Sequence, residues 1–197
     1  DKSTFLVSAR RSYLQFLFKA IGLPFLPTYT DFNAKYKYKI DNKNEITFIG
    51  LGAIDDFSLN EDANDTESKQ YLLDRLPINT QWNYTNGLVY KHYGSNGYTS
   101  FVVSRNMLNN EAIKYFNNDD SNIANIILDY KSQEIENKLR IETSQRAGKW
   151  EYLLGIGYEF VKYNNTTINK IFTGAGAEDI NYSTDINLHK YGAFANV

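Results

Sequence analysis

The chain has 197 residues, a formal net charge of −2 and no cysteine. That balance leaves no basic field for nucleic acid or an anionic membrane surface, and the missing thiols exclude disulfide and thiol chemistry. Sixteen Tyr and twelve Phe against three Pro and one Met suit long strands joined by polar loops.

In chain order, period-two alternation predicts eight strands, at 4–12, 32–40, 45–57, 81–92, 98–106, 134–143, 150–160 and 185–194. Three are sharply written. In 32–40, Phe32, Ala34, Tyr36, Tyr38 and Ile40 alternate with Asn33, Lys35, Lys37 and Lys39. In 134–143, Glu134, Glu136, Lys138, Arg140 and Glu142 alternate with Ile135, Asn137, Leu139, Ile141 and Thr143. Helical winding would scatter those five charges around the axis. In 150–160, Trp150, Tyr152, Leu154, Ile156, Tyr158 and Phe160 share a face, with Glu151, Leu153, Gly155, Gly157 and Glu159 on the other. The strands are about 9 to 13 residues long, and a tilted bilayer crossing needs about 9 to 11.

The predicted connections alternate in length. Asp41-Asn42-Lys43-Asn44, Gly94-Ser95-Asn96-Gly97 and Gln145-Arg146-Ala147-Gly148 have the chemistry of tight turns. Between them lie long segments at 13–29, 58–80, 107–131 and 164–184. Short periplasmic turns and long external loops are the pattern of a membrane barrel. The expected fold is therefore all-β, an antiparallel up-and-down set of transmembrane barrel strands in one segment, 1–197, without internal boundary. No run of about 18 apolar residues offers a transmembrane helix. A mean hydropathy of −0.50 does not argue against a membrane, because barrel strands average apolar and polar residues together.

Alternation alone does not say which face meets solvent. A soluble, lipocalin-like barrel turns its apolar face inward around an apolar ligand, and that is the alternative reading. Aromatic residues at the ends of apolar faces (Trp82, Tyr84, Trp150 and Tyr152, with Tyr90 and Tyr158) instead suit interfacial girdles. On this reading Tyr36, Tyr38, Trp82, Tyr84, Leu139, Ile141, Trp150 and Tyr152 face lipid. Lys35, Lys37, Lys39, Glu134, Glu136, Lys138, Arg140 and Glu142 face the lumen, as does one of Arg10 and Arg11, where it could pair with a carboxylate of a plug inside the barrel.

The stretches Ser3-Thr4-Phe5-Leu6-Val7-Ser8-Ala9-Arg10-Arg11-Ser12-Tyr13, Asn44-Glu45-Ile46-Thr47-Phe48-Ile49-Gly50-Leu51-Gly52, Phe101-Val102-Val103-Ser104-Arg105-Asn106 and Ser132-Gln133-Glu134-Ile135-Glu136-Asn137-Lys138 resemble barrel strands of TonB-dependent outer-membrane receptors. The likeness covers the whole chain and is one of strand texture, without a catalytic signature. It implies a 22-stranded barrel in the cell outer membrane with an N-terminal plug inside it. Such receptors import a scarce ligand, which external loops bind, using energy passed by TonB through the plug. The implied partners are the rest of the barrel, the plug, TonB and outer-membrane lipid, with no cofactor and no enzymatic role. The chain carries no plug, and Phe194-Ala195-Asn196-Val197 lacks the terminal aromatic of barrel ends, so the expectation is an internal piece of such a barrel.

Other side chains invite weaker readings. Asp62, Asn64 and Asp65, and separately Asp119 and Asp120, offer oxygen ligands without the glycine and late Glu of a calcium loop. His92 and His189 lack metal-pair spacing, and Gly174-Ala175-Gly176-Ala177 is too short for a phosphate cradle. Glu151 and Glu159 lie about 26 Å apart along one strand, too far for a glycosidase pair. Leu14, Phe16, Phe18, Leu23, Phe25 and Leu26 make segment 14–27 too apolar for a bare loop, which suits packing under neighbouring loops, closure over a barrel mouth or contact with a partner.

Overall fold

The computed structural model describes residues 2–174 and 176–197; Asp1, and Ala175 of the glycine-alanine stretch, lie outside the described residues. Eight strands form one antiparallel sheet: β1 (Ser3–Arg11), β2 (Phe25–Lys39), β3 (Asn44–Leu59), β4 (Ile78–Tyr93), β5 (Gly97–Tyr115), β6 (Ile126–Ala147), β7 (Trp150–Thr173) and β8 (Gly176–Asn196). Spatial order follows chain order, β1 to β8, so every connection is a hairpin and the sheet is open, with β1 and β8 as its edges. Each predicted strand has an observed counterpart, and the alternation that located them is the pleat itself.

The strands are longer than their alternation suggests. β7 has 24 residues, because pairing continues through Tyr163-Asn164-Asn165-Thr166-Thr167 after the apolar alternation has stopped. This corrects two expectations. The predicted loop 164–184 is instead the ends of β7 and β8, paired up to Thr173 opposite Gly176. The loop 107–131 shrinks to a connection of two single 3-10 turns, Phe116–Asn118 and Ile123–Asn125. Polar β-branched residues and asparagines pair as well as apolar ones when neighbours offer a ladder, and periodicity cannot see that. Near the other end, Gln145, Arg146 and Ala147 belong to β6, leaving Gly148 and Lys149 as the turn, with Gly148 at φ 64.

The remaining two long segments hold helices. β1 stops at Arg11 opposite Thr30, which leaves the start of β2 without a strand on that side. Helix α1 (Leu14–Ala20) fills the gap. Phe18 packs edge-on against Phe25, which stacks on Phe57, and Thr28 donates to Gln15 Oε1 at 2.6 Å. An edge covered in this way cannot recruit another strand there. Helix α2 (Glu67–Arg75) opens on Thr66, whose hydroxyl accepts from the Lys69 N–H, and has Glu67 in its first turn and Arg75 in its last, both favourable to the helix dipole. Lys114 at the far end of β5 donates to the Leu73 carbonyl of α2 at 2.6 Å and also to Asn118 Oδ1, tying two connections together.

The sheet is a single layer and has almost no core. Among the described residues the buried apolar side chains are Ala63 and Leu73, in the β3–β4 connection, and Pro24 before β2. The accessible surface is 13185 Å², whereas a folded water-soluble monomer of 22.7 kDa would expose about 9,500 Å².

Candidate functional site

Directly paired residues of an antiparallel sheet share a face, so the registers sort every strand residue onto one of two surfaces. One row reads Phe5, Tyr36, Phe48, Leu88, Val103, Leu139, Tyr158 and Tyr191 across all eight strands. The next row toward the tight turns reads Ser3, Tyr38, Ile46, Tyr90, Phe101, Ile141, Ile156 and Ala193. These two rows hold no charge. Trp82, Tyr84, Trp150 and Tyr152 lie on the same face, with Trp82 and Tyr84 stacked at 6.3 Å.

The opposite face collects Lys35, Lys37, Lys39, Glu134, Glu136, Lys138, Arg140 and Glu142. Arg10 joins them and pairs with Asp31 at 2.9 Å, while Arg11 falls on the apolar face at the end of β1. The sequence could not choose between these two arginines, because the choice depends on the β1–β2 register.

The charges of this face are organised across strands. Lys138 lies 2.7 Å from Glu136 and 3.8 Å from Glu159, and Glu159 lies 3.1 Å from Lys190, so one ion-pair chain crosses β6, β7 and β8. Lys37 pairs with Glu45 at 2.7 Å and Arg140 with Glu142 at 2.9 Å. Among the described residues no ion pair reaches Lys35, Lys39 or Glu134. Sequence reasoning missed the partners Asp31, Glu45 and Lys190; each sits opposite a charge only once register is known.

Burial differs between the two faces. Side chains on the inside of a curved sheet converge and shield one another, while those outside splay apart. The strand residues that are buried are Glu45, Ser100, Lys114, Ser132, Gly155 and Asn165, and all six lie on the charged face. Lys114 is also covered by α2, but the other five owe their burial to sheet neighbours. The charged surface is therefore the more shielded of the two. Gly155 lies on this face, and an added Cβ would meet the Phe194 ring of the neighbouring strand at 2.3 Å. Gly157 has no comparable cover, its nearest neighbour being a backbone oxygen at 3.7 Å.

The apolar band drifts across the sheet. From the row of Tyr36, Leu88 and Leu139 the tight turns lie about six, seven and nine residues further on in β2, β4 and β6, a slide of about three residues over four strands. On β2 the band runs from Phe32 to Ile40, and on β7 from Phe160 to Trp150, shifted the same way.

The proposed calcium ligands are engaged elsewhere. Asp65 pairs with Lys69 at 2.8 Å, which holds its carboxyl below the usual range. Asp119 accepts from the Ser121 and Asn125 side of its loop, with the same effect. Among the described residues no three His, Asp or Glu side chains converge for a metal ion. His189 contacts the Tyr158 hydroxyl at 2.8 Å, and His92 contacts Asn44 Oδ1 at 2.8 Å. No protein-family model matches the chain, and comparison with curated proteins finds no match.

Proposed function

We propose that this sheet is an arc of the wall of an outer-membrane β-barrel, in a receptor that imports a scarce ligand with energy from TonB. The carrying observation is the pairing of an apolar outer face with a charged inner face on the same strands. A protein folding in water needs the reverse. In a barrel wall the outer rows meet acyl chains and the inner rows meet water or polypeptide in the lumen. The drift of the band supports the same reading. Three residues of slide over four strands, at about 3.3 Å rise and 4.8 Å spacing, correspond to a tilt of about 27°, in the sense that a tilted barrel wall needs. The stretch of β5 from Gly97 to Arg105 then rises about 24 Å, close to the apolar height of such barrels.

The lipocalin-like alternative needs its apolar face on the inside of the curl, and the buried residues favour the other sense. The plug, TonB and ligand-binding external loops come from the family resemblance of the strands. They suggest a receptor class and carry no ligand.

The deciding experiment is accessibility. A nitroxide at Leu139 is expected to be relaxed by oxygen, which concentrates in lipid, and little by a water-soluble nickel complex. A label at Lys138 is expected to show the weaker oxygen response. Aqueous relaxation at both positions, or oxygen favouring 138, overturns the proposal. Sidedness follows separately: cysteines at Asn64 or Asn118 should react with an impermeant reagent on whole cells, and those at Lys43, Asn96 or Ala147 should not.

A further inference from the structure

One row of the outer face breaks its apolar character. Just beyond the Phe48–Leu88–Val103–Leu139 row, away from the tight turns, Asn86, Arg105 and Asn137 lie side by side on β4, β5 and β6. The Arg105 Nε–H donates to the Tyr84 hydroxyl at 3.0 Å and an Nη1–H to Asn137 Oδ1 at 3.1 Å. Both acceptors are neutral, and among the described residues no carboxylate lies within ion-pair distance of Arg105. Several bases further up this face have partners: Lys162 has Asp185 at 3.5 Å, Lys131 has Asp129 at 3.3 Å and Lys170 donates to the Ala124 carbonyl at 3.2 Å. Two neutral acceptors fix the guanidinium in place while leaving N–H donors and a whole positive charge exposed. Asn86 is exposed beside it.

We infer that Arg105, with Asn86, binds the phosphate of an anionic lipid headgroup at the level of the Trp82 and Tyr84 aromatics. This rests on the barrel-wall reading. Donors and a cation sit directly above a row of Leu88, Val103 and Leu139, which is the layout of an amphiphile: charged head above, acyl chain below. An arginine on the outer surface avoids the hydrocarbon at this height, and phosphate matches its planar fork. A soluble anion would gain the charge contact but nothing from the apolar rows, so the occupant is a lipid.

The test is lipid selectivity of the protein reconstituted in nanodiscs of mixed phosphatidylglycerol and phosphatidylcholine, read as the ratio of tightly associated anionic to zwitterionic lipid by native mass spectrometry. Arg105→Gln is expected to lower that ratio severalfold and Arg105→Lys to lower it less. An unchanged ratio in Arg105→Gln overturns the inference. If Arg105→Gln assembles poorly, the wild-type ratio measured across salt concentrations serves instead: a fall with salt supports the site and a flat response overturns it. Millimolar inorganic phosphate should leave the ratio intact, and competition by phosphate would assign the site to free anions. The nitroxide at Leu139 separates the two levels. Oxygen relaxation there with no lipid selectivity sinks this inference alone, whereas aqueous relaxation there sinks the barrel reading beneath it.

Discussion

Strand β6 contains two physically different stretches. In the half nearest the tight turns, one face is apolar and the other charged. In β6 this half runs through Leu139 and Ile141 outside, with Lys138, Arg140 and Glu142 inside. In the far half both faces are polar: Gln133 and Lys131 on the outer face, Ser132 and Glu134 on the inner. The hydrogen-bond ladder does not change between them, since β6 and β7 stay in one register from Ala147–Trp150 to Leu128–Asn169. Pairing and side-chain environment are thus separable. The ladder stabilises the strands over their whole length, while the surroundings dictate residue type only where one of them is not water. On the barrel reading the near half lies in the bilayer and the far half stands above it in water.

The largest effect should come from placing the same charge on the same face in the two halves. Leu139→Arg puts a cation in the apolar band and should cost about 2–4 kcal/mol, enough to impair assembly. Gln133→Arg lies on the same face of the same strand, beyond the band, and should assemble like the parent. Heat-modifiable mobility in membrane fractions reads the folded yield of each. Equal yields would mean that the two halves share one environment, and the division would collapse.

A smaller effect tests the inner face. Gly155 leaves room for the Phe194 ring, so Gly155→Ala must push that ring aside on the edge strand. The expected cost is about 1 kcal/mol, at the low end for overpacking, because an edge ring can swing outward. Gly157→Ala, whose Cβ would meet nothing closer than 3.7 Å, should be nearly silent. Urea unfolding followed by tryptophan fluorescence distinguishes them, and equal destabilisation would mean that Phe194 is not what the glycine accommodates.

Below this lies the ion-pair chain. Lys138→Gln breaks contacts to Glu136 and Glu159, yet Lys138 is 44% exposed, so screening should hold the loss to about 1 kcal/mol or less. The comparable change in the far half, Lys162→Gln opposite Asp185, should cost no more. The same unfolding assay checks both. A loss of several kcal/mol at Lys138 alone would show a dry inner surface in place of a wet one.

These halves explain what was legible in the sequence. Where one face is apolar and the other charged, alternation is strict, and Tyr36, Lys37, Lys138 and Leu139 could be assigned to opposite surfaces from periodicity alone. Where both faces are polar, as at Asn164-Asn165-Thr166-Thr167, nothing in the pattern separates strand from loop, and the ends of β7 and β8 were lost. The helices were hidden for a different reason. α1 is an apolar plug over the end of β2 with no stripe of its own, and α2 is a short helix whose signal is confined to Thr66, Glu67 and Arg75. Cross-strand partners such as Glu159 with Lys190 depend on register, which no single strand encodes.

The smallest expected effect concerns the tight turn between β2 and β3. Asp41 Oδ1 accepts from the Lys43 N–H at 2.7 Å and the Asn44 N–H at 2.8 Å, and the Asn44 amide group donates to both carboxylate oxygens. The Asn44 side chain is the largest cause, followed by the Lys43 N–H, of a carboxyl held below its ordinary value of 3.8. These bonds favour the ionised form, so the folded turn binds the proton less readily than the unfolded chain. Its contribution is therefore fully present above the ordinary value and is lost as pH falls through the lower, folded one. Because Asp41 is open to water, the loss should loosen the turn without unfolding the sheet. In nuclear magnetic resonance the Lys43 amide shift should titrate with a midpoint below 3.8, and Asp41→Asn, which keeps an acceptor but has no proton to gain, should remove that titration. The Asn44 carbonyl oxygen also accepts from the Tyr90 hydroxyl at 2.6 Å, so the aromatic end of β4 should report the same midpoint. A midpoint at or above the ordinary value would mean that the turn in solution lacks these bonds, and the anchoring of the near half at its tight end would need another cause.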